Sequence, residues 1–390
     1  MSNASVEERT RRLFSQIVRA TRGGREALEA TSSFEAAARN YDADQLIERL
    51  KRLPDRLPAL DMADPQSTKD AAEAVSRFVK GGIEKVRRGD LGSVSEAELA
   101  SLEAVVCADG SRPTLLLRDG QVPLDHPMIG DWHDVIGPLQ EQIVTAASAV
   151  CRVQPAGGSS EVYFGTGFLV DRDEALVLTN QHVLGAVLAR SSTKWERVGP
   201  DYRIYEGVFA EFGGEADRPE SKLFKVVQAR PTPAEGLDVS LLKLEAVPTS
   251  PDLPPALTLD MSSEKADGSL ISLCAIGFPG PPGATFGLHS GVDFGWVHNQ
   301  LFGGRYGLKR LAPGKVHRPI STVSNELKKW VFGHDLTTLR GSSGSPMIAW
   351  LDGGRAFGIH FSGVTAESNF AHSAFAARDV LQAFLEPGIQ

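Results

Sequence analysis

Apolar residues recur along this chain with two different periods, and the change between them divides it in two. Over residues 1–105 the period is helical. Leu13, Phe14, Ile17 and Val18 share a face that Gly23-Gly24 stops. Ser32 and Glu35 make a capping box ahead of Phe34, Ala37, Ala38 and Tyr41, and Leu46, Ile47, Leu50 and Leu53 run on to Pro54. Asp64-Pro65 supplies a cap with proline at the first helical position, before a face of Ala71, Ala74, Val75, Phe78 and Val79 that ends at Gly81-Gly82. Ser95 and Glu98 open a further helix towards Val106. Charged residues occupy the opposite faces, so residues 1–105 read as a helical bundle, a regulatory or recruitment module.

Residues 106–137 form a connector rich in proline and glycine, in which Leu115-Leu116-Leu117 is placed to pair as an edge strand of the following domain. Its Asp125, His126, Asp131 and His133 read as loop polarity rather than a metal site. From Pro138 the pattern becomes one of short strand-like runs between turn residues. These are Val162–Val170, Ala175–Leu178, Tyr202–Phe212, Leu237–Leu244, Leu270–Phe278, Pro346–Trp350 and Ala356–Phe361. Residues 138–390 are long enough for two β-barrels. Pro281–Lys329 reads as a long loop that either shapes access to a substrate or is a structural insertion.

Composition narrows the picture. An apolar content of 42% suits a globular chain, while a net charge of -8 and no basic run argue against nucleic acid as a partner. No stretch is long and apolar enough for a membrane span, and the Arg-rich, Glu-rich start has no hydrophobic region of the secretory kind. The expectation is a cytoplasmic protein. Cys107, Cys151 and Cys274 are too few and too scattered for a disulfide framework or a zinc site, and read as apolar fillers.

Three segments carry chemistry. Leu178 to Leu184 reads as a strand running up to His182; Asp238 opens the apolar run Val239-Ser240-Leu241-Leu242; and Ser343 sits in Gly341-Ser342-Ser343-Gly344-Ser345-Pro346. Acyl transfer needs a hydroxyl whose proton a neutral imidazole can take, with a carboxylate behind the ring to set its tautomer. Gly341 and Gly344 let the backbone fold tightly, so that the N–H groups of Gly341 and Ser343 converge on a developing oxyanion. Neither a metal nor another cofactor is called for. An α/β-hydrolase would need Ser, Asp and His in that order and a second glycine where Ser345 stands.

Gly165-Thr166-Gly167-Phe168-Leu169-Val170, Thr179-Asn180-Gln181-His182-Val183, Asp238-Val239-Ser240-Leu241-Leu242 and the Ser343 turn together resemble the trypsin-like peptidases, with the V8-like glutamyl endopeptidases and HtrA-like branches nearest. The resemblance spans roughly residues 140–388. It implies a mainly β, chymotrypsin-like double β-barrel acting on protein or peptide substrates through His182, Asp238 and Ser343. In glutamyl endopeptidases a threonine five residues before the serine and a histidine in a Gly-Ile-His strand bind an acidic P1 side chain, and Thr338 and His360 fall at those positions. Secreted V8-like enzymes also use a freed N-terminal amine near P1, whereas more than 130 residues precede the domain here. The expectation is an intracellular bacterial-type endopeptidase that acts on defence or stress effectors and is recruited to a partner through its helical region. The rival is an interaction scaffold on a protease fold without turnover.

Overall fold

The computed structural model describes residues 77, 80–95, 112–126, 128–217, 222–262, 272–281, 302–320, 322–323, 326–350, 354–364 and 368–385. Most of the helical bundle expected over residues 1–105, together with Cys107, lies outside them; residues 80–87 are helical, with Ile83 and Val86 buried. The larger of two compact units comprises residues 114–124, 132–281 and 306–390, and it is the one that carries the chemistry.

This unit is mainly β and contains two closed six-stranded barrels. The first barrel is built from β2 (Val150–Pro155), β3 (Gly165–Asp171), β4 (Leu176–Thr179), β7 (Val208–Glu211), β8 (Leu223–Pro231) and β9 (Ser240–Ala246). Its order is β8-β7-β2-β3-β4-β9, closed by pairing of β9 with β8. A ribbon of β5 (Lys194–Val198) and β6 (Asp201–Glu206) extends the sheet from β8. The second barrel uses β10 (Ser272–Gly277), β11 (Arg310–Arg318), β12 (Val331–His334), β13 (Pro346–Ala349), β14 (Ala356–Val364) and β15 (Ser368–Ser373). It runs β11-β10-β13-β14-β15-β12 and closes through β11 and β12. The strand expected in the connector forms as β1 (Leu115–Leu116), paired antiparallel with β11.

Closure removes the sheet edges and turns alternate side chains inward. Phe168, Val177, Val226 and Leu241 are buried strand residues of the first barrel, and Leu273, Val316, Phe332, Met347 and Ala371 of the second, all 0% exposed. Each large apolar side chain removed from water contributes on the order of 1.5–3 kcal/mol. Cys151 and Cys274 are buried free thiols. Burial pushes the Cys151 thiol up to about 12 and the Cys274 thiol higher still, as suits the apolar role read from the sequence.

The loop expected over Pro281–Lys329 is in part a barrel strand. Residues 282–301 lie outside the described set, but Arg310–Arg318 is β11, paired with both β10 and β12. Pro313 and Gly314, which read as turn residues, stand inside the strand opposite Cys274 and Leu273. Just ahead of β11, Lys309 is 0% exposed. Its ammonium donates to the carbonyls of Ala147 at 2.8 Å and Phe212 at 2.7 Å, and burial lowers its pKa to about 8.

Candidate active site

Strand β4 stops at Thr179, Asn180 is extended, and a helix, α1 (Gln181–Ala189), begins at once. His182 therefore stands in the first turn of a helix, not at the end of a strand as the apolar run suggested. Val183, Leu184 and Val187 are the buried face of that helix, and over so short a run their spacing does not separate helix from strand. Because the first amides of a helix have no partner within it, they need an acceptor from elsewhere. The His182 N–H finds Asp238 Oδ1 at 3.0 Å, while the ring Nδ1 lies 2.6 Å from Asp238 Oδ2. One carboxylate thus caps the helix and orients the imidazole that the helix carries. With a neutral ring, Nδ1 holds the proton that Asp238 accepts, and Nε2 keeps its lone pair.

The backbone of Asp238 is bound on both sides. Its carbonyl accepts from Asn180 Nδ2 at 2.8 Å, and its N–H donates to His372 Nε2 at 3.0 Å. Burial raises the Asp238 pKa, but the bonds from His182 and that residue's charge outweigh it, leaving the carboxyl below its usual value.

Ser343 is presented by a turn that both barrels hold. Gly341 has φ +92° and Gly344 φ +90°. A Cβ on Gly341 would lie 2.6 Å from the Phe278 carbonyl, and one on Gly344 would run into the Thr166 carbonyl. From the first barrel, Thr166 donates its hydroxyl to the Gly341 carbonyl at 2.7 Å and its N–H to the Ser343 carbonyl at 2.8 Å. From the second, Gly344 N–H bonds the His360 carbonyl at 2.8 Å and His360 N–H bonds the Ser345 carbonyl at 2.9 Å. Among the described residues the N–H groups of Gly341 and Ser343 take part in no backbone hydrogen bond. Both remain available as donors.

Such a turn, with its histidine and aspartate contributed by the other barrel, calls for comparison with known proteins. A family model described as the trypsin-like peptidase domain matches residues 165–359. A probable serine protease of Lysobacter enzymogenes is 34% identical over 385 residues, covering 97% of this chain and 98% of that protein. The chain belongs to the trypsin-like peptidase family. Protease Do-like 7 of Arabidopsis thaliana is 29% identical over 116 residues, 28% of this chain and 10% of its own length. Among solved structures, a mutant of human heparin binding protein aligns with a TM-score of 0.40 and 13% identity, over 62% of this chain and 93% of that one.

In this trypsin-like peptidase the two expected specificity residues lie close to the Ser343 turn but in different environments. Thr338 is partly buried and donates its hydroxyl to Asn369 Oδ1 at 2.8 Å, and Asn369 in turn donates to the Leu336 carbonyl at 2.6 Å. His360 is 3% exposed. Its Nδ1 is 3.1 Å from His334 Nε2, and burial lowers its pKa to about 4. His334, 0% exposed, is held further below the usual histidine range by burial and by the neighbouring His360 and His317. Sequence reasoning missed Asn180, Thr166, His334, Asn369 and His372. Thr166 and Asn180 lie inside the motifs already noted, but the contacts of His334, Asn369 and His372 appear only once the second barrel has closed.

Proposed function

We propose that this serine endopeptidase works through a triad of Ser343, His182 and Asp238. The observation that carries the reading is the pair of hydrogen bonds that the Asp238 carboxylate accepts, one from the backbone N–H and one from the ring Nδ1 of His182. It fixes the imidazole in the tautomer whose Nε2 can take a proton. Ser343 Oγ attacks the scissile carbonyl as its proton passes to His182 Nε2, and Asp238 stabilises the imidazolium. The Gly341 and Ser343 amides receive the oxyanion, a contribution worth on the order of 100- to 1000-fold in rate per donor. His182 then protonates the leaving amine; water, deprotonated by the same ring, attacks the acyl carbonyl, and the ring returns that proton to Ser343 Oγ as the acyl group leaves.

No hydrogen bond joins Ser343 Oγ to His182 among the described residues, a looseness common in substrate-free sites, where such bonds tighten on binding. Labelling with a fluorophosphonate probe tests the reading. The full chain should label and Ser343→Ala should not; failure of both, with peptide binding retained, would return the chain to the scaffold reading.

The P1 pocket is proposed to favour an acidic side chain. Thr338, Asn369, His360 and His334 bring hydroxyl, amide and imidazole groups together, and no carboxylate among them would draw in lysine or arginine. A P1 carboxylate arriving there would favour protonation of His360. Cleavage of a mixed peptide library, read by mass spectrometry, should follow Glu or Asp; cleavage after basic or large apolar residues would sink the idea. The cytoplasmic setting, the action on defence or stress effectors and recruitment through residues 1–105 are part of the same proposal, supported by the sequence pattern alone.

A further inference from the structure

His372 belongs to the second barrel, on β15, paired opposite both Val331 and Ile359. It is 2% exposed, and its ring stacks on Phe361 with centroids 4.1 Å apart and planes 14° from parallel. Nε2 accepts the Asp238 N–H at 3.0 Å, and Nδ1 is buried with no hydrogen-bond partner. Acceptance at Nε2 places the proton on Nδ1, so a buried donor is left unsatisfied. Such a group costs on the order of 1–3 kcal/mol. An aliphatic side chain of similar size would fill the same space against Phe361 without an unsatisfied Nδ1–H. What it could not do is accept the N–H of the residue whose carboxylate orients His182.

We propose that His372 is a positioning residue that holds Asp238 in line with His182 from the opposite barrel. The inference rests on the triad reading. Asn180 grips the Asp238 carbonyl from the first barrel, and His372 grips its N–H from the second. With the peptide groups on both sides of its Cα fixed, Asp238 has only its side-chain torsions with which to wander, and its two bonds to His182 restrain those. Asp238 is the charged group that faces His372; His182 lies beyond it, and Phe361 covers the ring from β14. A protonated ring would turn an N–H towards the Asp238 N–H, so the contact needs the neutral form. Burial holds His372 in that form, with its pKa lowered to about 4.

The test compares the full chain with His372→Leu and His372→Gln. A glutamine can offer its amide oxygen to the Asp238 N–H; leucine offers nothing. For His372→Leu, kcat should fall on the order of 10- to 100-fold, the scale of a small misplacement in an active site, with KM near that of the parent. The acid limb of kcat/KM should move to lower pH, because a displaced carboxylate stabilises the imidazolium less, while Tm changes little, since the unsatisfied Nδ1–H is exchanged for an unpaired Asp238 N–H. His372→Gln should recover kcat to within a few-fold. His372→Met substitutes for the leucine variant if that one does not fold. An unmoved kcat and acid limb in the apolar variant would overturn the inference, as would equal losses in both variants that track Tm. A parent protein that no fluorophosphonate labels would strike at the triad itself, whereas an active parent with an indifferent His372→Leu strikes only at His372.

Discussion

The N–H of Thr166 donates to the carbonyl of Ser343 at 2.8 Å. Thr166 belongs to the first barrel and Ser343 to a turn of the second, so the backbone of the proposed nucleophile is pinned by the barrel that also carries His182. The Thr166 carbonyl meanwhile accepts the Thr179 hydroxyl at 2.7 Å and occupies the space a Cβ on Gly344 would need.

Gly344→Ala should therefore do more than strain a positive φ. The new methyl meets the Thr166 carbonyl and comes within 2.8 Å of Thr179 Oγ1, so the turn must lift away from the first barrel. The expected outcome is loss of fluorophosphonate labelling together with destabilisation of about 1–3 kcal/mol, measured by urea unfolding. Full labelling at the parent's stability would contradict the packing described.

Asp238→Asn separates the two tasks of that side chain. The amide oxygen can still cap α1 by accepting the His182 N–H, so Tm should change little. The amide nitrogen cannot accept from Nδ1, and the ring is driven to the wrong tautomer. A fall in kcat of about 10⁴-fold is expected, read with a peptide substrate. A drop in Tm as large as that of a core truncation would mean that the charge, rather than the acceptor, holds the helix.

Stability should decline on mild acidification. His360 and His372 have folded-state pKa values lowered to about 4 from 6.5, and His334 is lowered further. Between those limits the unfolded chain binds more protons than the folded one, so stability is fully present above pH 6.5 and is lost as pH falls towards 4. Each of the first two contributes at most about 3 kcal/mol over that window. Urea midpoints at pH 7 and pH 5 measure it; equal midpoints would mean that the rings are solvated or paired.

Lys309→Met leaves the Ala147 and Phe212 carbonyls without their shared donor. Two unpaired buried acceptors outweigh the gain from removing a buried ammonium, and destabilisation of about 2–4 kcal/mol is expected. Thermal unfolding of the variant, followed by circular dichroism, is the measurement.

Much of this molecule is legible in its sequence where chemistry is local. Ser343 and its flanking glycines form a turn whose geometry follows from residue types, and the Gly165–Val170 run is β3 with one extra residue. Where two structures share a pattern, the sequence misleads. The run from Leu178 to Leu184 is a strand, a one-residue break and a helix, and Tyr202–Phe212 is two strands interrupted at Gly207. β11 is hidden by Pro313 and Gly314, and β2, β8, β12 and β15 carry no motif that announces them. The site divides the same way. His182 and Asp238 stand in recognisable runs, but the bond from Asp238 to His372 spans 134 residues and exists only because two barrels close against each other.

That division bears on how the chain acquires activity as it folds. Thr166 reaches Gly341 across 175 positions, and His182 reaches Asp238 across 56. Contacts so distant in sequence form late, after the loop entropy between them has been spent. In refolding from urea, β-sheet circular dichroism should return before reactivity towards a fluorophosphonate. Under the proposed triad, a nucleophile set only when both barrels have docked leaves the chain harmless while it is half made.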